Sequence, residues 1–568
     1  MNKANMEIYA QLVARILSDY GCKYVFGAPG TTELSLCTSI ESHPKMKYIT
    51  CLHENVAIGM AEGVSRAGET LGVANLHATQ GTLNGMGSIR ASYRDGIPML
   101  VISGFPATYY SIYEPNHFQY GLTDILRHIT KWAWEIDNPL QVSTAVRRAI
   151  EIALSPPMGP TFLGIPQNIL EMRLDTMSNM KSTFKDWSPP SYVPSDDELR
   201  EALSIIKKAK SILIYSGNEV GKSGSHSVSL IGRLAEILGA VVIGEAMDRG
   251  PMIQSVNSPM NHSLFAGYFD SRNPYIRDAI SSCDTFIEIG VKTTYEKVIG
   301  ELSTATNIIQ IDYDPHQLGK NHPVNVGMVG DIDKTLQRVL ELIQQKPIKY
   351  TQKNKKRSKE LALKSRKWRP KLDTSSTDFR IILDLLEVLG NEMPQNGVVV
   401  DDSQSFGYFL KSYFPFSEDI EIHGSLASHM GWALPVALGF GLSKKNRKVL
   451  CIVGDGSTLF SLQSFATAAK YKVPIVILVI NNSGFRSLQV ESEKKGWLKH
   501  TRDALSLTSP RIRLTEVATS FGIKAKSPST KIELRDAFRE AFHSDTPCLI
   551  EIEAPTSLDF WRQTWLVQ

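Results

Sequence analysis

Gly454-Asp455-Gly456-Ser457, followed further along the chain by Asn481-Asn482, is the stretch of sequence that decides the fold. An apolar, β-branched run at 449–453 precedes the first motif, and a second such run at 474–480 precedes the asparagines. Residues 457–471, between the two, predict a helix. This order predicts a strand–helix–strand unit whose two strands are parallel and joined by a helical crossover.

The polar residues of this unit favour a metal-bridged diphosphate as the ligand. A Gly-Asp-Gly turn lets the backbone approach an anion, and a helix that starts after the turn directs free N–H groups at it. The asparagines reach the same edge of the sheet, and oxygen ligands of this kind suit Mg²⁺, which also takes phosphate oxygens and water. Alone, Gly-Asp-Gly indicates an ordinary polar turn; the asparagine pair changes that interpretation.

Composition limits the classes of protein to consider. The chain has 568 residues, enough for about three domains, with 42% hydrophobic residues, 21% charged residues and a net charge of +4. These values are typical of a globular protein, and they indicate neither a nucleic-acid nor a membrane partner. No long apolar stretch predicts a transmembrane helix, and the start lacks the apolar core of a signal peptide. The six cysteines are scattered without metal-ligand spacing, which favours reduced core residues and a cytoplasmic location.

Two polar segments, at 181–197 and 346–378, predict linkers between three blocks. The resulting domains span 1–180, 198–345 and 379–568. Each block alternates β-branched runs with helical patterns, which predicts an α/β protein with three parallel-sheet domains. Strands are predicted at 24–26, 73–76 and 99–102, at 212–215, 240–243, 285–289 and 308–311, and at 398–400, 449–453, 475–480 and 548–552.

The middle block carries a weak nucleotide-binding signal. Residues 216–221, Ser-Gly-Asn-Glu-Val-Gly, follow a predicted strand but do not complete the Gly-x-Gly-x-x-Gly fingerprint. FAD or another nucleotide in this block is therefore an open alternative that the sequence does not support.

The first block contains a Gly/Pro turn and an acidic helix start. After the strand that ends near Phe26, the run Gly27-Ala28-Pro29-Gly30 leads into a helix for which Thr31 or Thr32 would be the cap. Further on, Leu52-His53-Glu54-Asn55 opens a small-residue helix at 57–66. Taken alone, Glu54 would simply interact with the dipole of that helix.

The segment from Gly454 to Asn482 closely resembles the cofactor motif of the thiamin diphosphate (ThDP)-dependent 2-oxo acid decarboxylase and acetohydroxyacid synthase superfamily, and the resemblance covers essentially the whole chain. It implies that the three blocks are a pyrimidine-binding domain, a central domain and a diphosphate-binding domain. It implies that Asp455, Asn482 and the backbone carbonyl of Gly484 hold Mg²⁺. It also implies contacts to ThDP from Gly456, Ser457, Gln404, Ser405 and Phe485.

The resemblance gives Glu54 and Met430 specific roles. His53-Glu54 resembles the motif of the catalytic glutamate, which protonates N1′ of the aminopyrimidine so that N4′ can take the C2 proton of the thiazolium. Residues 427–435 resemble the segment that bends the cofactor, in which Met430 would be the wedge and Ser428 would offer its carbonyl to N4′. His429 departs from the small residue common there. We expect it to satisfy a loop carbonyl, with a substrate contact as the alternative.

Two branches of the superfamily compete for the reaction. The run at 75–87 resembles the benzoylformate decarboxylase branch, in which His77 would be an acid/base and Thr31 would replace an active-site serine. The second catalytic histidine of that branch has no counterpart near 290–297. His117-Phe118-Gln119 instead resembles the acetohydroxyacid synthase branch, which makes Gln119 a further catalytic candidate.

The resemblance therefore implies a ThDP- and Mg²⁺-dependent lyase or carboligase. It would decarboxylate a small 2-oxo acid and transfer the acyl carbanion to a carbonyl acceptor. The alternatives are a simple decarboxylase that releases an aldehyde, a non-catalytic subunit with the ThDP fold, and a metal-dependent nucleotide-binding protein. Because the superfamily builds each site from two subunits, a homodimer or homotetramer with interface active sites is expected.

Overall fold

The structure, a computed structural model, describes residues 7–68, 70–174, 187–246, 258–292, 296–348, 352–370, 376–414, 419–444 and 446–565. It contains three six-stranded parallel sheets with helices packed on them. The predicted α/β class with three parallel-sheet domains is confirmed. Within the part of the chain described here, no helix is both long and apolar enough to cross a membrane.

The first sheet has the strand order β2-β1-β3-β4-β6-β5. Its strands are β1 (Tyr24–Gly27), β2 (Lys47–Thr50), β3 (Gly72–His77), β4 (Met99–Phe105), β5 (Trp132–Glu135) and β6 (Pro160–Pro166). Its helices are α1 (Tyr9–Asp19), α2 (Leu34–Glu41), α3 (Glu54–Arg66), α4 (Ala78–Asp95), α5 (Leu122–Arg127), α6 (Val142–Leu154) and α7 (Gln167–Glu171).

The middle sheet has the order β12-β11-β10-β7-β8-β9. Its strands are β7 (Ile212–Ser216), β8 (Val241–Gly244), β9 (Phe265–Tyr268), β10 (Thr285–Ile289), β11 (Asn307–Asp312) and β12 (Val326–Val329). The helices of this part are α8 (Asp196–Lys208), α9 (Ser225–Leu238), α10 (Pro274–Ser281), α11 (Glu296–Glu301), α12 (Ile332–Gln345) and α13 (Gln352–Lys367).

The last sheet has the order β14-β13-β15-β16-β18-β17, which is the order of the first sheet when strands are counted within each domain. Its strands are β13 (Val398–Asp402), β14 (Glu421–His423), β15 (Val449–Gly454), β16 (Ile475–Asn481), β17 (Lys524–Lys526) and β18 (Cys548–Glu553). Its helices are α14 (Thr377–Glu392), α15 (Gly407–Tyr413), α16 (Ala433–Ser443), α17 (Asp455–Leu459), α18 (Ser464–Lys470), α19 (Arg486–Lys494), α20 (Leu498–Thr501), α21 (Leu514–Ser520), α22 (Lys531–His543) and α23 (Leu558–Trp565).

Every strand predicted from the sequence is present, but two other predictions are wrong. The helix predicted at 457–471 is two helices, α17 and α18, separated by a turn in which Ser461 N donates to Thr458 O and Ser464 N to Ser461 O. The linker predicted at 346–378 contains helix α13, which packs on the middle domain. There Leu361 and Ala362 are buried, and Ser358 Oγ donates to Gly239 O at 2.7 Å.

Helices α3 and α16 cross in close contact and join the first domain to the last. Added Cβ atoms on Gly63 and Gly439 would overlap the Val436 carbonyl oxygen and the Met60 carbonyl oxygen, respectively, so glycine permits the approach of the two backbones. Met60, Val436 and Phe440 belong to one apolar core that is continuous between the two sheets. The position of α3, which begins at Glu54, is therefore set by the last domain as well as the first.

We expect Gly63→Ala to destabilise the protein by about 1–3 kcal/mol, because the added methyl group overpacks the helix crossing. Gly300→Ala is the matched control, since an added Cβ there meets open space. It should be neutral or stabilising by up to about 1 kcal/mol. The stability change of each variant is measured by thermal unfolding, as the shift in the midpoint of the first transition. Equal midpoints for the two variants would contradict the role given to the crossing.

Candidate active site

Asp455 and Asn482 lie at the same edge of the last sheet, because β15 and β16 are neighbouring parallel strands with Gly454 in register with Ile480. Asp455 is buried, its Oδ2 accepts a hydrogen bond from Gly484 N at 3.1 Å, and burial raises its pKa to about 6. The Oδ1 atom of Asn482 is buried and has no hydrogen-bond partner among the described residues.

These oxygens fit a hard cation. A buried amide oxygen without a partner is costly unless a donor or a cation meets it, and Asp455 supplies a carboxylate directly after the neighbouring strand. The Gly484 carbonyl accepts from Arg486 N at 3.0 Å and keeps a second lone pair. The described residues hold no group of three or more His, Cys, Asp or Glu side chains that could bind a metal. A cation here would depend on one carboxylate with amide and backbone oxygens, a ligand set that Mg²⁺ accepts.

Gly456, Phe485 and Met430 form a contiguous wall beside Asp455. A Cβ on Gly456 would lie 2.7 Å from Phe485 Cε1 and 3.5 Å from Met430 Cε, so glycine at 456 permits these two side chains to approach the backbone closely. Ser457 is buried in the first turn of α17, where backbone N–H groups are available to an anion.

Asp402, which the sequence analysis missed, positions the loop that carries Ser428 and Met430. Its Oδ2 accepts from Gly431 N at 3.1 Å and its Oδ1 from Gln404 Nε2 at 3.2 Å. Burial raises the pKa of Asp402 to about 6. Ser428 has φ of 50° and Gln404 has φ of 48°, left-handed conformations that the surrounding contacts must maintain. The signal available in the sequence was an acid at the end of an apolar strand, as at Asp455.

Ser405 and His429 both lie near the end of β13 and the loop of Ser428 and Met430, but they have different surroundings. Ser405 is buried directly after the strand end that carries Asp402. The expectation that His429 satisfies a loop carbonyl is wrong, because its Nε2 lies 3.3 Å from Ser88 Oγ on α4 and its ring packs on Gly87. Burial lowers the pKa of His429. This side chain joins the loop of Ser428 and Met430 to the first domain.

Glu54 is the first residue of α3, three residues earlier than the predicted helix start. His53 is the N-cap, with Nδ1 accepting from Asn55 N at 3.1 Å. Glu54 Oε2 accepts from Asn84 Nδ2 at 3.2 Å, and a Cβ on Gly81 would lie 3.1 Å from Oε1. The side chain is 13% exposed. Glu54 therefore lies against α4 with its carboxylate partly accessible.

His77 ends β3, close to Glu54, and has an acidic partner that the sequence analysis missed. Both carboxylate oxygens of Glu33 lie 3.2 Å from His77 Nδ1. Hydrogen bonding to Glu33 raises the pKa of His77, and the charge of Glu54 adds to this. The ring of His117 meets the ring of His77 at a centroid distance of 4.6 Å. Three ionisable side chains therefore surround this imidazole.

The cap predicted at Thr31 or Thr32 is wrong. The N-cap of the short 3₁₀ turn is Gly30, and the Glu33 side chain reaches back to accept from Gly30 N. Thr31 is exposed, whereas Thr32 is buried with its hydroxyl 2.9 Å from Gly104 O. Gly30 has no side chain that could accept a hydrogen bond, and the Glu33 carboxylate instead accepts from the Gly30 N–H group.

Gln119 lies at a cavity of about 510 Å³ beside His117. It is exposed, and its Nε2 donates to Tyr120 O at 3.1 Å. The cavity is lined mainly by aromatic and polar side chains, among them Phe105, His117, Phe118, Gln119, Tyr120 and Trp134. This is a concave, partly apolar space of the size that small ligands occupy.

Among the described residues of the middle domain, the loop with the weak nucleotide-binding signal, 216–221, packs against a neighbouring loop. The sheet of this domain has the strand order of dinucleotide-binding folds, with the switch point between β7 and β10. The loops after these strands touch, since a Cβ on Gly217 would overlap the Gly290 carbonyl oxygen. The carboxylate of Glu219 pairs there with Lys222 at 2.7 Å and Lys292 at 3.4 Å.

Comparisons with known proteins identify the family. Models of thiamine pyrophosphate enzymes match three parts of the chain: the N-terminal TPP binding domain at 8–127, the central domain at 199–339 and the C-terminal TPP binding domain at 406–552. These matches cover more than half of the chain. The protein belongs to the thiamine pyrophosphate (ThDP) enzyme family.

Among its relatives are enzymes of two kinds. The chain is 24% identical to the acetolactate synthase isozyme 3 large subunit of Escherichia coli, over 94% of this chain and 92% of that protein. It is 25% identical to benzoylformate decarboxylase of Pseudomonas aeruginosa, over 95% and 98% of the two chains. Sequence similarity at this level does not separate the two activities.

Solved structures share the fold over nearly the whole chain. A thiamin diphosphate-dependent enzyme isolated from Mycobacterium smegmatis has a TM-score of 0.79 at 26% identity, covering 97% of this chain and 100% of that one. Benzoylformate decarboxylase from Polynucleobacter necessarius has a TM-score of 0.81 at 22% identity, with 97% and 99% covered.

Proposed function

We propose that this ThDP enzyme is a Mg²⁺-dependent carboligase that decarboxylates a small 2-oxo acid and transfers the acyl group to a carbonyl acceptor. The observation that carries the metal-dependent part is the unpartnered, buried Oδ1 of Asn482 beside the buried carboxylate of Asp455. Asp455, Asn482 and the Gly484 carbonyl would hold Mg²⁺. Gly456 and Ser457 would contact the diphosphate, with further cofactor contacts from Ser428, Met430, Gln404, Ser405 and Phe485.

Residues of the first domain would bind and transfer protons. When bound, ThDP supplies the electron sink that decarboxylation needs. Glu54, partly buried against α4, would hold a proton at N1′ of the aminopyrimidine. His77 would move a proton to or from the oxygen of the acceptor. Thr31 and Gln119, both exposed, would contact the substrate.

The two half-sites support a homodimer or homotetramer. The contacts of Glu54 and His77 described above are made within the first domain, and those of Asp455, Phe485 and Met430 within the last. Apolar side chains are exposed on the first domain, including Leu52 at 61% and Tyr120 at 87%. Side chains exposed in this way are available to an interface with another chain, and the diphosphate half of a second copy would complete the site.

One observation favours the alternative of a simple decarboxylase. That reaction needs an acid that protonates the product carbon rapidly, and the sequence offers no histidine near 290–297 for this role. The structure places His117 against His77, in the first domain. A second imidazole is therefore present at the site from a different part of the chain, and only the products can decide between the two reactions.

Asp455→Ala should abolish ThDP binding in the presence of Mg²⁺. Loss of a charged ligand should exceed the roughly 10–100-fold loss in affinity that follows removal of a group that only supports a ligand. Calorimetric titration with ThDP and Mg²⁺ measures the change, and chelation of the metal should mimic it. Asp503→Ala, an exposed acid of the same domain, is the control. ThDP affinity equal to that of the unmodified protein in Asp455→Ala would exclude this metal site.

Glu54→Gln should slow proton–deuteron exchange at C2 of bound ThDP by roughly 10²–10⁴-fold, because the amide keeps the size of the side chain but cannot supply the acid. Nuclear magnetic resonance after acid quenching measures the exchange. Glu171→Gln, an exposed acid of the same domain, should exchange at the normal rate. If both variants exchange alike, Glu54 does not have the proposed role.

The carboligase proposal predicts the products. One 2-oxo acid is supplied with and without carbonyl acceptors, and CO₂, aldehyde and ligated product are quantified by mass. We expect ligated product to dominate when a suitable acceptor is present. Free aldehyde as the main product with every acceptor tried would instead establish the decarboxylase, and His117→Asn should then slow aldehyde release by up to roughly 10²–10⁴-fold.

A further inference from the structure

Glu33 is completely buried, although nothing in the proposed reaction uses it directly. Ionised carboxylates are rarely buried unless charged or hydrogen-bonding groups meet them. Both oxygens of Glu33 face the imidazole of His77 at 3.2 Å, Oε2 lies 2.6 Å from Thr32 Oγ1, and Oε1 accepts from Gly30 N. The carboxylate is therefore held in place on three sides, and the imidazole is the one ionisable group among these partners.

Two glycines make room for this pair. An added Cβ on Gly30 would overlap the ring of His77, and one on Gly104 would lie 2.6 Å from Glu33 Oε2. Any larger residue at either position would push the carboxylate and the ring apart. The turn between β1 and α2 and the end of β4 are thus shaped around the contact between Glu33 and His77.

The surroundings of Nδ1 determine where the imidazole carries its proton. Nδ1 faces two carboxylate oxygens at 3.2 Å and the Thr32 hydroxyl oxygen at 3.1 Å. A lone pair on Nδ1 would repel the carboxylate, whereas an N–H group there donates to it. The hydrogen bond that one ring nitrogen makes fixes the role of the other. In the neutral imidazole, the lone pair is consequently on Nε2.

We propose that Glu33 is a positioning residue that orients His77 and holds a proton on its Nδ1, so that Nε2 is the atom that exchanges a proton with the substrate. This inference rests on the proposed function of His77 as the acid/base of the site. Nε2 would take the proton of a substrate hydroxyl as an O–H bond breaks, and the imidazolium, stabilised by Glu33, would return it. No other reactant is needed.

Three ionisable groups face His77 and would influence its titration. Glu33 comes from the turn before α2, Glu54 from the first turn of α3, and His117 from the segment after the 3₁₀ turn Thr108–Tyr113. Both acids raise the pKa of His77, and the hydrogen bond to Glu33 is the largest cause. Protonated His77 should therefore persist to a higher pH than a free imidazole. When the charge of Glu33 is removed, His77 should lose its proton at a lower pH than in the unmodified protein.

The test is the titration of His77 in the ThDP- and Mg²⁺-loaded protein with ¹⁵N-labelled histidine, assigned by comparison with His77→Gln. In the unmodified protein, the nitrogen shifts should show neutral His77 with its proton on Nδ1. In Glu33→Gln the pKa of His77 should fall, and the limb of the pH–kcat/KM profile that reports His77 should move with it. kcat/KM should lose part of the roughly 10²–10⁴-fold that a placed acid/base contributes. Glu171→Gln should change none of these values.

Two results would overturn the inference: neutral His77 with its proton on Nε2 in the unmodified protein, or an unchanged pKa of His77 in Glu33→Gln. Should Glu33→Gln fail to fold, Glu33→Asp retains the charge but withdraws it from Nδ1, and the pKa of His77 should again fall. An unchanged pKa in that variant would also overturn the inference. The titration needs no substrate, so its result is independent of the proposed function. The expected pKa change could be absent in a protein that turns over 2-oxo acids, and it could be present in one that does not.

Discussion

The arrangement of the three domains depends on a buried ion network around Arg66. Its guanidinium pairs with Glu62 at 2.7 Å and with Asp95, and all three side chains are almost completely buried. Removing one partner from such a group leaves an uncompensated charge in the interior, which typically costs about 3–5 kcal/mol. The network therefore tolerates only one arrangement of the elements that supply it.

Each domain contributes to this network. The last domain supplies Trp432, whose Nε1 donates to Glu62 at 2.8 Å, and Leu426, whose N–H donates to Asp95 at 2.8 Å. The middle domain supplies Lys222, which donates to the backbone carbonyl of Asp95. Glu62 and Arg66 lie on α3, whose other end begins with Glu54, and the partners in the last domain flank the loop of Ser428 and Met430. The charge network thus fixes both groups that the proposed chemistry requires.

The sequence predicted the centre of each sheet and missed its edges. The strands that it failed to identify are β2, β5, β9, β12, β14 and β17, which are the two edge strands of each sheet, and β6. Central parallel strands are buried on both faces and appear as continuous apolar runs, whereas edge strands are short and partly exposed, and they carry a weaker signal. Strand β6 is not an edge strand, but it contains one glycine and two prolines, which weaken the sequence signal of a strand.

Residues of the candidate site could be placed together from the sequence alone only where one strand–helix–strand segment contains them. Asp455 and Asn482 follow two strands that pair, so a local motif is sufficient to place them together. Glu33 and His117 meet a partner that is distant in the sequence, His77, and no local pattern connects them, whereas Asp402 had the local signal of an acid at the end of an apolar strand. From the sequence, a threonine could equally cap the turn before α2; in the structure Gly30 is the N-cap and the Glu33 carboxylate accepts from its N–H group.

The first and last domains share one strand order, so the two half-sites occupy equivalent positions in their sheets although their chemistry differs. In the first sheet His77 ends the third strand and Glu33 lies in the turn after the first. In the last sheet Asp455 follows the third strand and Asp402 ends the first. Ligands of open parallel sheets bind at this carboxyl edge. One edge carries imidazole and carboxyl groups that can hold and move protons. The equivalent edge carries an unpartnered amide oxygen, a buried carboxylate and helix N–H groups, which suit a cation and an anion. Two copies of one topology therefore carry complementary groups at their carboxyl edges, and the proposed active site would use one edge of each kind.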